Sequence, residues 1–178
     1  EMFSDGMPQE ALMEKAGIQI SKWLLTRKSL LKHGITVLIG PGHNGGDGAV
    51  VARELFLKGF YVQVWCPFPI KKTLTNNHLN YLTSIGVTKL VGPPDVNGKE
   101  LWIDAVFGNN QTRKVDDKLI RLFNQKFYKK SGKVISIDIP TGLCPDKGEP
   151  FLENAVKADY TLAIGLNKIG LTQDSALP

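Results

Sequence analysis

Cysteine is scarce: only Cys66 and Cys144 occur in 178 residues. Thiols so few and so far apart cannot form a metal knuckle or a redox pair, and they read as free thiols in a reducing compartment. Long hydrophobic runs are missing too, since no stretch approaches the roughly 20 apolar residues of a membrane span. The start, Glu1-Met2-Phe3-Ser4-Asp5, is acidic and polar instead of basic and then apolar, so no secretory leader is read there. A cytoplasmic location without a membrane partner is the expectation. Acidic residues are the minority, 17 Asp+Glu against 22 Lys+Arg, for a net charge of +5. That balance suits an anionic ligand or nucleic acid. The cations are scattered, however, with small clusters only at Lys71-Lys72 and from Lys126 to Lys133. They read as solvated faces, and no nucleic-acid partner is expected. No repeat, low-complexity segment or dividing linker appears, and the length suits one domain with a sizeable core.

What is present concentrates in Ile35-Thr36-Val37-Leu38-Ile39-Gly40-Pro41-Gly42-His43-Asn44-Gly45-Gly46-Asp47-Gly48. A β-branched strand breaks into glycines, and a helical pattern follows at Ala49, Val50, Val51, Ala52, Leu55 and Phe56. Glycines in such a strand–turn–helix unit let backbone N–H groups approach an anion at the helix N-terminus. Gly40, Gly42 and Gly45 satisfy G-x-G-x-x-G. Asn44 and Asp47 add polar groups that a simple phosphate cradle does not need. A dehydrogenase-type unit would place an acid about 20 residues further on to hold the ribose, but Tyr61-Val62-Gln63-Val64-Trp65-Cys66-Pro67 contains none. No Gly-Lys-Ser/Thr follows the loop either, which excludes a Walker A site. The loop suits a nucleotide-like ligand held in some other way.

The rest of the chain alternates strand and helix. Ser4 or Asp5 caps a first helix with Pro8 near its first turn, and Leu12, Ala16, Ile20, Trp23 and Leu24 mark its apolar face. Strand 35–39 leads to helix 47–58 and strand 61–66. A helix around 72–85 uses Leu74, Leu79, Leu82 and Ile85. A short strand near 88–91 precedes a Gly-Pro-Pro loop, and strand 101–107 ends at Gly108. A helix around 116–130 carries Leu119, Leu122, Phe123 and Phe127. Strands 133–139 and 159–164 follow. This alternation predicts an α/β fold, a three-layer α/β/α Rossmann-like sandwich with a mostly parallel sheet and right-handed crossovers. Val134-Ile135-Ser136-Ile137 is apolar enough for burial on both faces.

Ligands of such sheets bind outside the carboxyl ends of the strands. Four segments fall there: 42–48; Asp104-Ala105-Val106-Phe107-Gly108 with Asn109-Asn110-Gln111-Thr112-Arg113; Asp138-Ile139-Pro140-Thr141-Gly142; and Gly165-Leu166-Asn167-Lys168-Ile169-Gly170. Each polar group also has a structural reading. Asp47 could cap a helix, Asn44 could tolerate a left-handed turn, Asp104 could sit in a buried hydrogen bond, Asp138 could simply precede a Pro turn, and Lys168 could be a solvated loop lysine.

Together the four segments resemble the epimerase family that repairs hydrated NAD(P)H, also called the YjeF N-terminal domain family. Its motifs are G-x-G-N-N-G-G-D-G, D-A-x-F-G-T-G-x-x-R, D-I-P-S-G and a late K-x-G, in the same order. Leu12-Met13-Glu14-Lys15-Ala16-Gly17 resembles its L-M-E-x-A-G helix. The resemblance covers nearly all of 1–178 as one such domain, and the chain stops before the last strand that the family usually has. His43 stands where the family has Asn, Asn109-Asn110 replace Thr-Gly with loss of a turn glycine, and Thr141 replaces Ser.

The resemblance implies an isomerase that interconverts the R and S epimers of NADHX or NADPHX, reduced cofactors hydrated at nicotinamide C6. It implies a potassium ion held by Asn44, Asp104 and Thr141. The ligand contacts implied are His43, Asn44, Gly45, Gly46, Asp47, Gly108, Asn109, Asn110, Gln111, Thr112, Arg113, Lys114 and Asp138. Inversion at C6 needs loss of the hydroxyl and return of water to the other face, and Asp104 and Asp138 are the acid–base candidates. A homodimer and a fused or separate dehydratase domain are the implied partners. The alternative is a binding and dimerisation scaffold of the same fold, as in messenger-RNA decapping. Such a scaffold should have lost the loop Asn and the strand-end Asp residues, which this chain keeps.

Overall fold

A computed structural model describes Gly6 and residues 8–111, 115–165 and 169–172. Helix α1 is Gln9–Leu25, followed by a 3-10 turn at Lys28–Leu30. Then come strand β1 (Ile35–Ile39), α2 (His43–Leu57), β2 (Val62–Trp65), α3 (Thr73–Ser84), β3 (Thr88–Lys89), β4 (Leu101–Ala105), α4 (Asp117–Lys129), β5 (Val134–Ile137) and β6 (Tyr160–Leu162). The sheet order is β3-β2-β1-β4-β5-β6, and every pairing is parallel. The chain order therefore reverses direction across the sheet between β1 and β4, the kind of crevice where doubly wound sheets bind ligands. Among the described residues, no helix is long and apolar enough to cross a membrane.

Alternation along buried strands builds two cores. Ile35, Val37 and Ile39 of β1 face one side with Ile103, Ala105, Ile135 and Ile137, under Ile20 and Leu24 of α1, Val51 and Leu55 of α2 and Leu79 and Leu82 of α3. Leu38, Trp102 and Val134 face the other side, under Leu119, Ile120 and Phe123 of α4. Strands β1, β4 and β5 are buried at every position, as strands covered on both faces should be.

Several boundaries differ from the sequence expectation. The N-cap of α1 is Pro8, without a side-chain cap, while Ser4 and Asp5 lie outside the described residues. The buried face of α1 is Met13, Gly17, Ile20, Ser21 and Leu24, displaced from the expected stripe because α1 packs on α2 as well as on the core. Helix α2 begins at His43, four residues before the expected start. Most of its glycines are therefore packing residues inside a helix and not turn residues. A side chain at Gly45 would collide with the Gly40 carbonyl, and one at Gly48 with Ala105 Cβ of β4. Lys126, read as part of a solvated cluster, is fully buried. Its ammonium donates to the Gly98 carbonyl and lies 4.0 Å from Glu100 and 5.1 Å from the Trp102 ring centroid.

Candidate active site at the carboxyl ends of the strands

Strand ends and helix starts meet in a cleft of about 630 Å³, within the size range of small-molecule sites. β1 delivers Pro41 and Gly42, and the first turns of α2 deliver His43, Asn44 and Asp47. β4 runs out into residues 106–111, β5 into Asp138 and β6 into Ile164; Gln9 and Lys72 complete the wall. Of the residues expected at the site, His43, Asn44, Asp47, Gly108, Asn109, Asn110, Gln111 and Asp138 line this one cleft. Gly45 and Gly46 do not; their small size serves the approaches of α2 to the Gly40 carbonyl and to Met13. Thr112, Arg113, Lys114 and Lys168 lie outside the described residues.

Asp138 is held with care. Its φ is +69°, and Lys130 is the only other described non-glycine residue with positive φ. Non-glycine residues rarely adopt that conformation, and those that do cluster at functional sites. The Asn109 N–H donates to Asp138 Oδ2 at 2.8 Å, and the Ile164 N–H lies 3.4 Å from Oδ1. Gly108 separates Asp138 from Asn44: a side chain there would come within 2.9 Å of Asp138 Oδ2 and 3.2 Å of Asn44 Cγ. The turn tolerates Asn109-Asn110, since neither takes positive φ and the Gln111 N–H closes it on the Gly108 carbonyl at 3.0 Å.

Asp47 does not cap α2. The N-cap is Gly42, and Asp47 stands in the second turn, facing the cleft. Burial, reinforced by the nearby Asp138 carboxylate, raises its pKa to about 8, so near pH 7 it is a protonated acid. A buried carboxyl group with a raised pKa, facing a cleft beside a second carboxyl group, is an arrangement found at acid–base sites. Burial, and then Lys72, push the His43 imidazole below its usual range. Neither polar atom of the buried Asn44 side chain has a hydrogen-bond partner among the described residues, and the same holds for His43 Nδ1. A buried amide left open in this way is an invitation to a ligand.

Asp104 lies under the cleft wall, fully buried, and does not line it. Its Oδ1 accepts from Thr141 Oγ1 at 2.7 Å and from the Val106 N–H at 3.2 Å. Its Oδ2 accepts from the Thr141 N–H at 2.9 Å and from Ser136 Oγ at 3.0 Å. Burial raises its pKa against the pull of these donors. Thr141 Oγ1 also accepts from the Phe107 N–H at 3.1 Å. Asp104 and Thr141 thus tie the end of β4 to the end of β5.

Gln111 makes a second tie. Its Nε2 donates to Leu143 O at 2.8 Å and Pro140 O at 3.2 Å, and its Oε1 accepts from the Gly142 N–H at 2.8 Å. Nothing in the spacing of the sequence signals that role. Lys72 was also missed, because a Lys-Lys pair before a helix looks like any solvated pair.

Comparison with known proteins agrees with this architecture. The family model for YjeF-related protein N-terminus matches residues 9–170. The bifunctional NAD(P)H-hydrate repair enzyme Nnr of Gloeobacter violaceus is 43% identical over 99% of this chain and 35% of its own. The NAD(P)H-hydrate epimerase of Lentilactobacillus buchneri is 32% identical over 97% of this chain and 80% of its own. The chain therefore spans about a third of the bifunctional relative. A crystal structure of yeast ynu0 superposes with a TM-score of 0.78 at 23% identity, covering 93% of this chain and 74% of that one, and so shares the fold. Strand order, cleft and sequence similarity lead to one conclusion: the chain belongs to the family of YjeF-related protein N-termini.

Proposed function

We propose that this chain is an isomerase that interconverts the R and S epimers of NAD(P)HX at C6 of the hydrated nicotinamide ring. The observation that carries the reading is a pair of carboxyl groups, Asp47 and Asp138, on one nucleotide-sized cleft at the strand ends. Asp47, protonated near neutrality, gives its proton to the C6 hydroxyl. The C6–O bond breaks, its electron pair leaves with the oxygen as water, and ring nitrogen shares the positive charge left on C6. Water then adds to the opposite face, and Asp138 takes the proton released. Proton exchange with solvent resets the pair, and the same steps run backwards from the other epimer. General acid–base assistance of this type contributes about 10²–10⁴-fold.

Asp104, the other acid–base candidate of the sequence, is assigned a positioning role, because it is fully buried and does not line the cleft. A potassium ion is proposed beside it, held by Asn44 Oδ1, Asp104 and Thr141. The open amide of Asn44 fits that role, and amide, carboxylate and hydroxyl oxygens are the ligands that hard cations take. When bound, the ion supplies a positive charge that favours the ionised form of Asp104. The free thiols Cys66 and Cys144 suit a reducing cytoplasm. A homodimer, and a dehydratase in a further domain or a separate chain, are proposed as partners on the family resemblance.

The test follows the R epimer of NADHX by chromatography that separates the epimers. Purified protein in potassium buffer should deplete it faster than the uncatalysed background, and Asp138→Asn should lose about 10²–10⁴-fold in rate. A wild-type rate equal to background removes the enzyme reading and leaves the binding scaffold.

A further inference from the structure

We propose that Lys72 binds a phosphate group of the substrate, at an anion subsite where the first turns of α2 and α3 meet in the cleft. This rests on the reading of the substrate as a dinucleotide. Such a ligand carries negative charge into a cleft that already presents the Asp138 carboxylate, so the wall needs a compensating cation. Among the described residues, Lys72 is the only Lys or Arg that lines the cleft, and none of them forms an ion pair with it.

Its position is fixed by the backbone. The N–H groups of Lys71 and Lys72 both donate to the Pro41 carbonyl, at 3.0 and 3.3 Å. Thr75 Oγ1, one turn into α3, donates to the Gly42 carbonyl at 2.9 Å. Gly42 and Lys72 are the N-caps of α2 and α3, and neither cap supplies a side-chain hydrogen bond. Two helix N-termini, each with unsatisfied N–H groups and partial positive charge, therefore lie side by side with the Lys72 ammonium. A separate observation also points to a ligand: in the first turn of α2, Asn44 is 9% exposed, lines the cleft and has no partner for either polar atom. Fixed N–H donors, an ammonium and the open Asn44 Nδ2 group are what a phosphate oxygen requires. The phosphate could be the bridging pyrophosphate or the 2′-phosphate of the NADP form, and the two substrates tell these apart.

The experiment compares wild type with Lys72→Ala, Lys72→Arg and Lys72→Glu. Lys72→Ala should raise KM about tenfold, the equivalent of one charge-assisted hydrogen bond, with kcat nearly unchanged. Lys72→Arg should restore most of the loss, and Lys72→Glu should deepen it. An equal defect for NADHX and NADPHX assigns Lys72 to the bridge, and a defect confined to NADPHX assigns it to the 2′-phosphate. Inorganic pyrophosphate should raise the melting temperature of wild type more than that of Lys72→Ala. An unchanged KM in folded Lys72→Ala, or an equal pyrophosphate shift in both proteins, overturns the subsite. Because the pyrophosphate shift needs no turnover, it decides the subsite even if wild type epimerises neither compound, a result that would sink only the epimerase reading.

Discussion

Three aspartates occupy the ends of two strands and one helix, and their surroundings divide their work. Asp138 is held in a left-handed conformation at the cleft, Asp47 is kept protonated, and Asp104 is locked below by four donors. Asp47 gives a prediction with a definite sign. Its folded pKa of about 8 lies above its usual 3.8, so between those values the native protein holds a proton that the unfolded chain has released. Stability must fall as pH rises through that window and level off above it. Asp47→Asn removes the slope. Urea unfolding at pH 4 and pH 8 should show the variant gaining on wild type, by at most roughly 5 kcal/mol. An equal difference at both pH values would place the Asp47 pKa in the ordinary range. Asp104→Ala should lose activity and also stability, by about 1–3 kcal/mol for each donor that it leaves buried without an acceptor. Circular dichroism must therefore accompany the assay. All three aspartates were visible in the sequence as isolated acids at strand ends or in the glycine segment. The family resemblance already pointed to Asp47 and Asp138 as ligand contacts; that Asp104 does not line the cleft was not visible, since this depends on where β4, β5 and α2 converge.

At the scale of elements, the glycine segment of α2 shows how the same letters serve two ends. Read locally, Gly45, Gly46 and Gly48 make a loop. In the fold they are helical, and they let α2 lie against Gly40, Met13 and Ala105. Glycine to alanine inside a helix normally gains about 1 kcal/mol. Gly48→Ala should do the reverse and cost about 1–3 kcal/mol through overpacking, read as a lower urea midpoint with unchanged slope. A rise in the midpoint would mean that α2 can shift away from β4 at little cost. Helix α4 makes a similar point. Its apolar face was legible from periodicity, and its N-cap Asp116 accepts from the Lys118 N–H at 2.9 Å. Lys126 was misread, because only the position of the 98–102 segment supplies the carbonyl, carboxylate and ring that receive its ammonium.

Across the whole molecule, six parallel strands with a core on each face concentrate stability at the centre of the sheet. β1 pairs with both β2 and β4 and is fully buried, whereas β3 is a two-residue edge strand exposed at both positions. Amide hydrogen exchange should be slowest in β1 and β4 and fastest in β3. Comparable protection at β3 would mean that something further covers that edge. Replacing potassium in the buffer by a bulky organic cation should lower the melting temperature if the proposed ion is bound, by the linkage of ligand to folded state. An unchanged melting temperature would remove the ion.

The sequence alone determined the alternation of strand and helix, because buried parallel strands need continuous apolar runs and helices need a repeating apolar stripe. It also determined the motifs that mark the family and most of the residues from which a site could be built, Lys72 excepted. The tertiary structure decided which of them meet. Asn44, Asp47, Lys72 and Asp138 reach one cleft only because the strand order reverses between β1 and β4. Asp104 and Gln111 became ties between loops, and Lys72 a wall of the site, through contacts between residues distant in sequence. Local propensity carries no record of such contacts, because burial and partnership are properties of the packed chain.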